Sequence, residues 1–393
     1  MKNSYVLLLI VFCAVSFLSC GGMNSRTDSV FEFAGEQLKK SAAAVNDPSQ
    51  FPMNTDENGE WVTTSLSGWT SGFFPGCLWL MYEYTGEDEW KNLALKWTRG
   101  LNDIQFYTGN HDIGFMMFSS YGQGLRLTGN PAFKPLLIQS SKSLASRYNA
   151  DVNSFMSWNP NERWKFPVIV DNMMNLELMF WSVRNGGPVP YYGMAENHAE
   201  STMRNHMRED GSTFHVVDYD PDSGEVRGKY THQGYSKESC WARGQAWGVY
   251  GFTIVYRETQ KVHFLETAEK LADYFIANLP DDYIPYWDFS RTDMEGEERD
   301  SSAAAIAASA LIELATLVED EVKAKAYHET AVKILKSLCS DKYLAKGSDS
   351  NSILLHGVGS KPHGNAVDRA LIYGDYYFLE ALLRLKRGVV LVD

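Results

Sequence analysis

The stretch WKFPVIVDNMMNLELMFW, residues 164–181, decides the fold. Pro167 ends whatever precedes it, and Val168-Ile169-Val170 is a β-branched run that favours extended backbone. Asp171 then stands where a helix N-cap would. The residues after it, Met173, Met174, Leu176, Leu178, Met179 and Phe180, are apolar on nearly every face. A helix with no polar stripe is buried all round. Its start therefore opens onto something enclosed, with an acid at the opening. Helix capping alone would account for an Asp in that place, so what matters is whether the arrangement recurs.

It does recur along the chain, as helical hairpins with similar tight turns: Tyr84-Thr85-Gly86, Leu127-Thr128-Gly129-Asn130 and Glu258-Thr259. That is a degenerate repeat. The pattern predicts first members near 69–84, 112–128, 171–185, 241–258, 300–318 and 366–386. Second members fall near 87–101, 131–147, 193–208, 261–278 and 320–339, and a lone helix at 30–45 supplies the sixth. First members are rich in Gly, Ala and large apolar residues, as in SSAAAIAASALIELA from Ser301; second members carry charged faces. Buried inner helices ringed by half-exposed outer ones make an all-α, single-domain (α/α)6 barrel over 20–393, closed where the terminal helices meet. A helical solenoid is the alternative, but it has no need of a lone helix at each end.

In an alternating barrel all inner helices point one way, so the loops entering them gather at one end. Those loops have the unusual composition: Leu66 to Trp69, Asn110-His111-Asp112, Ser157-Trp158 with Asp171, Asp210 to His215, Tyr230 to Trp247, Arg299-Asp300 and His356 to Arg369. Loops on a rigid scaffold carry function. Asp112 and Asp171 begin adjacent inner helices at that end and would face one cavity, as paired acids in glycosidic chemistry do, one protonated and one charged. At helical spacing Trp241 shares a face with Gln245, and Arg243 with Trp247, a set suited to binding carboxylates, hydroxyls and sugar rings. An aromatic core layer with one buried Arg paired to a carboxylate explains the same residues equally well. No HExxH, GxSxG or phosphate loop is present, and the histidines show no metal-ligand spacing, so neither metal nor cofactor is expected.

The chain has 393 residues, 44% apolar and 22% charged, which is a folded globular composition. Aromatics reach 13%, with 11 Trp and 21 Tyr, a mild pointer to carbohydrate. A net charge of −13 argues against nucleic acid as a partner. Lys2, the apolar run from Tyr5 to Phe17 and Leu18-Ser19-Cys20-Gly21 have the form of a bacterial lipoprotein signal. The expectation is that 1–19 is removed and Cys20 lipidated, leaving a periplasmic protein whose one membrane tie is that anchor. Surface export is disfavoured because acidic residues do not follow Cys20. Cys77, Cys240 and Cys339 are too few and too scattered for a disulfide framework or a zinc site, so they are expected as buried thiols.

The segments SLSGWTSGFFPG (65–76), NHDIGF (110–115), PVIVDNMMNLE (167–177), GSTFHVVDYD (211–220), THQGYSKES with WARGQAW (231–247) and YGDYYFLEALLR (373–384) resemble those of the unsaturated glucuronyl hydrolases, glycoside hydrolase family 88. The resemblance runs from about Trp61 to about Arg384. It implies an (α/α)6 barrel and a hydrolase that hydrates the 4,5 double bond of the uronic acid left by polysaccharide lyases. It further implies Asp171 as the general acid and base, and Asp112 as the second acid, which holds the substrate and favours positive charge at C5. If the two share the pocket, they are expected to titrate as a coupled pair with Asp171 kept protonated and Asp112 the anion. Trp69, His111, Trp158, His215, Gln233, Trp241, Arg243, Trp247 and Tyr373 match positions that line the pocket. Cys240 stands where the family pattern has Thr or Ser. Two rivals remain open at this point: an unsaturated rhamnogalacturonyl hydrolase acting on pectin fragments, and a lipoprotein that only captures oligosaccharides.

Overall fold

The computed structural model describes residues 21–291 and 296–392; residues 1–19, expected from the sequence to be a signal segment, and Cys20 lie outside the described residues. The inner helices are Phe73–Thr85, then Ile113–Met117 carried through a π turn at Phe118–Gly122 into Gln123–Thr128, then Leu176–Arg184, Ala242–Thr259, Ser301–Leu317 and Ile372–Arg387. The outer ones are Gly21–Val45, Asp88–Gly100, Phe133–Ala145, Pro190–His206, Val262–Ala277 and Glu321–Leu338. Alternation of the two sets makes the (α/α)6 barrel that the pattern implied. Burial follows the sequence: every residue from Ser301 to Leu314 is buried, whereas Glu321–Leu338 buries one stripe, Tyr327, Thr330, Ala331, Ile334, Leu335 and Leu338. The 3- and 4-residue spacing of that stripe is what one core-facing side requires.

Closure occurs where expected. Gly21–Val45 packs on Phe73–Thr85 and on Ile372–Arg387, with Phe31 stacked on Tyr84 at 4.0 Å. This first helix starts well before residue 30, because Met23, Thr27 and Val30 repeat at helical spacing and are all buried. The three cysteines Cys77, Cys240 and Cys339 are buried and free.

Asp171 departs from its expected local role. Phe166–Ile169 is a strand, paired antiparallel with Val216–Tyr219, which in turn pairs with Val226–Tyr230. The hairpin is not visible in the apolar pattern. Val170 still donates its N–H to His215 O, so the ladder reaches one residue past the strand and the chain turns through a 3-10 segment, Val170–Asn175. The α-helix begins only at Leu176, and Asp171 is not its N-cap. Asp112 does occupy the N-cap position of Ile113–Met117, yet its side chain makes no capping bond. Asp300 and Asp320, by contrast, each accept two backbone N–H groups at the starts of their helices. Capping therefore explains neither Asp112 nor Asp171.

Candidate active site

The loops entering the inner helices line a cleft of about 650 Å³ that opens to solvent. Eight of the residues singled out from the sequence line it: Asp112, Asp171, Trp69, His111, Trp158, Gln233, Trp241 and Arg243. Three do not. His215 lies behind Asp171, and Tyr373 lines an adjoining cavity of about 380 Å³ that shares Trp69, Gln233 and Arg243. Trp247 is fully buried beneath, packed between Phe115 and Tyr377 at 5.1 and 5.3 Å.

Each acid faces an imidazole. His111 Nε2 is 3.3 Å from Asp112 Oδ1, and His215 Nε2 is 3.5 Å from Asp171 Oδ2. Burial drives both histidines well below the usual imidazole range, with Arg147 adding to the effect at His111 and His232 at His215, so both rings are neutral at pH 7. Burial also raises the carboxyls. Asp112 is pushed up to about 8 by burial and then by the charge of Asp171, against the pull of Arg147. Asp171 is raised to about 7 by burial, with the Arg243 charge acting the other way. Burial thus favours the protonated form of both carboxyls, while Arg243 pulls Asp171 and Arg147 pulls Asp112 the other way.

Arg243 is held rigidly. Its Nη1 donates to Asp300 Oδ2 at 3.0 Å and to Val358 O, its Nη2 to Gly359 O at 2.6 Å, and its guanidinium lies between Trp241 and Tyr373 at 4.5 and 5.2 Å. Both readings of this Arg thus hold at once, since it is ion-paired in the core and also reaches the cavity. Gln245, its neighbour in the sequence argument, is spent on structure: it donates to Gly211 O and Leu271 O and accepts from Thr213. Cys240 is buried against Gln245 Oε1 at 3.4 Å, its thiol pushed up to about 12 by burial. The hydroxyl it replaces would have met that same amide, away from the cavity.

Sequence reasoning missed Arg147, which follows an outer helix and reads as a surface residue. In fact it is buried, donating to Met156 O and Thr108 O. Asp300 was visible as a loop acid, but not as the partner of Arg243. Among the described residues no group of three or more His, Cys, Asp or Glu is placed to hold a metal ion.

A model of Glycosyl Hydrolase Family 88 matches residues 37–386. The unsaturated glucuronyl hydrolase of Formosa agariphila is 44% identical over 328 residues, 82% of this chain and 81% of that protein. The crystal structure of an unsaturated glucuronyl hydrolase specific for heparin superposes with a TM-score of 0.88 at 40% identity, over 92% of this chain and 97% of that one. A variant of the Streptococcus agalactiae unsaturated glucuronyl hydrolase, solved with dGlcA-GalNAc6S, gives a TM-score of 0.80 at 31% identity over 93% of each chain. A barrel of this architecture, with two uncapped acids at its mouth and relatives matched over nearly its whole length, belongs to Glycosyl Hydrolase Family 88 and is a glycoside hydrolase.

Proposed function

We propose that the cavity takes the 4,5-unsaturated uronic acid at the non-reducing end of lyase-made glycosaminoglycan fragments and hydrates its double bond, with Asp171 as acid and base. The observation that carries this reading is a buried, uncapped Asp171 raised to about 7, beside a second raised acid, in a cavity walled by indoles and one arginine. Protonating an enol ether requires a carboxyl that keeps its proton near neutral pH. Asp171 gives its proton to C4, and positive charge develops at C5, shared with the ring oxygen. Water adds at C5 and returns a proton to Asp171. The hemiketal at C5 then opens to a ketone, and the former ring oxygen takes a proton as a hydroxyl on C1. That carbon is now an open-chain hemiacetal, which expels the next sugar. An anionic substrate beside Arg243 offsets that charge and moves Asp171 toward its protonated form.

Relatives named for heparin and bound to dGlcA-GalNAc6S support a sulfated glycosaminoglycan source. The test is the ultraviolet absorbance of the conjugated acid, followed with unsaturated disaccharides from heparin, chondroitin and hyaluronan and with an unsaturated rhamnogalacturonan disaccharide. Loss of absorbance on the glycosaminoglycan series is expected. Bound disaccharide with unchanged absorbance would mark a capture protein, and turnover confined to the pectin fragment would mark the rival hydrolase.

The N-terminal sequence supports a lipid-anchored, periplasmic location, through Lys2, the short apolar run and the Leu18-Ser19-Cys20-Gly21 signal. Cys20→Ala should prevent lipid labelling and leave the protein as an unprocessed precursor. Labelling that persists in the variant overturns the anchor.

A further inference from the structure

Two sequence motifs meet in a contact that the proposed chemistry does not itself require. They are Asn110 to Phe115, and the second asparagine of the turn that follows Asp171. Asn175 is 1% exposed. The backbone N–H of Phe115 donates to Asn175 Oδ1 at 2.8 Å. A backbone amide can only donate, so this bond identifies the oxygen end of the side chain. The other end, Nδ2, then faces His111 Nδ1 at 3.2 Å and can only donate to it. Nδ1 is therefore the bare nitrogen, and the proton of the neutral ring sits on Nε2, the atom 3.3 Å from Asp112 Oδ1. Gly114 makes the approach feasible: a Cβ there would lie 2.5 Å from Asn175 Oδ1 and 2.7 Å from its Cα.

The second acid is served by the same logic with different parts. His215 Nδ1 faces the backbone N–H groups of His232 and Gln233 at 3.4 and 3.3 Å. Both are donors, so His215 also carries its proton on Nε2, toward Asp171 Oδ2.

We propose that Asn175 is a positioning residue for the reaction: it locks His111 as the Nε2–H tautomer, which makes Asp112 Oδ1 an acceptor and leaves Oδ2 as the oxygen that can carry a proton. With His215 locked by backbone, each acid turns one oxygen toward an imidazole N–H, at 3.3 and 3.5 Å; Asp171 Oδ2 is buried without a hydrogen-bond partner among the described residues, so the transferable proton of Asp171 belongs on Oδ1. The tautomer stands independently of the function proposed above; only its effect on rate rests on that reading.

The test is nitrogen-15 NMR of the ligand-free enzyme labelled at histidine, with the His111 signals identified by their absence in His111→Gln. The expected spectrum has a bare Nδ1 and a protonated Nε2; a protonated Nδ1 overturns the proposal without any variant. Asn175→Asp keeps the shape and still accepts from Phe115, but it cannot donate to His111. It should switch the ring to a protonated Nδ1 and lower kcat on an unsaturated disaccharide by about tenfold or more, with KM little changed, in line with other residues that orient a functional group from behind. Asn175→Ala, which adds no charge, should show both tautomers and an intermediate kcat. A switched tautomer with wild-type kcat in either variant overturns the positioning role. If the wild-type spectrum is as expected but no unsaturated sugar is turned over, the proposed function fails and the tautomer lock survives.

Discussion

At the mouth of the barrel Asp112 and Asp171 stand against neutral imidazoles, while towards the other end Glu177, Glu313 and Glu380 are gathered around Arg257 and Arg384. Arg257 bonds Glu177 and Glu313, Arg384 reaches Glu313 at 2.9 Å, and Glu380 takes the hydroxyls of Tyr250 and Ser309 at 2.7 and 2.6 Å. Glu177 lies in the first turn of Leu176–Arg184, and the others come from the later turns of the helices whose starts form the mouth; Phe115, Trp247 and Tyr377 pack between the two regions. Burial raises a carboxyl in both places. At Glu313 the two guanidinium charges outweigh burial and the pKa falls below its usual value, whereas at Asp112 and Asp171 nothing outweighs it. Removing one partner of a buried ion pair is costly, so the far cluster fastens four inner helices together. The mouth keeps its acids unpaired, which costs stability and retains a proton that can be given away. The same residue class thus serves cohesion at one end and chemistry at the other.

The sharpest way to break this comparison is Asp171→Asn. Turnover of an unsaturated disaccharide should fall by about a thousandfold, within the range for loss of a general acid and base, while binding persists. Activity within about tenfold of wild type would place Asp171 on the structural side of the division. Asp112→Asn should cost about a hundredfold, as loss of an electrostatic partner does. Its pH profile is more telling than its rate. The charge of one acid raises the pKa of the other, so the two titrate as a coupled pair. Removing Asp112 should let Asp171 lose its proton more readily and move the alkaline limb of kcat/KM to lower pH. A limb that stays in place would mean that the two acids do not feel each other's charge.

The barrel was legible because its signal is redundant: Ser301–Leu317 and Glu321–Leu338 differ in composition along their whole length, and each pair repeats the contrast. Asp112 and Asp171 were legible because they begin helices with no polar face. The charges that act on them were not, since Arg243 and Arg147 come from remote segments. The strand Phe166–Ile169 that displaces Asp171 from the N-cap was also hidden, because a four-residue strand pairing with a partner some fifty residues away leaves no local period. The role of Asn175 has no local sign, because its partners, Phe115 and His111, are 60 and 64 residues distant.

At the far end, Glu313→Gln removes the negative charge shared by Arg257 and Arg384. It should destabilise the protein by about 3 kcal/mol in denaturant unfolding, the scale for breaking a buried ionic group. The folded variant should keep kcat within about twofold, since Glu313 is separated from the cavity by the aromatic layer. A variant of normal stability and poor activity would reverse the assignment of the two ends.

The smallest effect tests the cost at the mouth directly. The carboxyl of Asp171 has a model value of 3.8 and is raised to about 7 in the folded protein. The folded state therefore holds that proton more tightly than the unfolded chain, and stability falls as pH rises from about 4 through about 7. Asn has no such proton to lose. Asp171→Asn should consequently gain on wild type as pH increases, with a difference in Tm at pH 8 exceeding that at pH 5 by at least about 2 °C, roughly 1.6 kcal/mol for a chain of this size. The Asp112 pKa relaxes downward in the same variant, because the neighbouring charge is gone, and this adds to the gain with the same sign. Glu313, lowered by its arginines, carries the opposite dependence: its contribution is complete above the unfolded pKa and is lost as pH falls through the folded one. The deficit of Glu313→Gln should thus shrink in acid while the advantage of Asp171→Asn grows in base. Tm curves for Asp171→Asn and wild type that run parallel from pH 5 to pH 8 would mean that Asp171 is not held protonated by its surroundings, and the contrast between the two ends would lose its electrostatic basis.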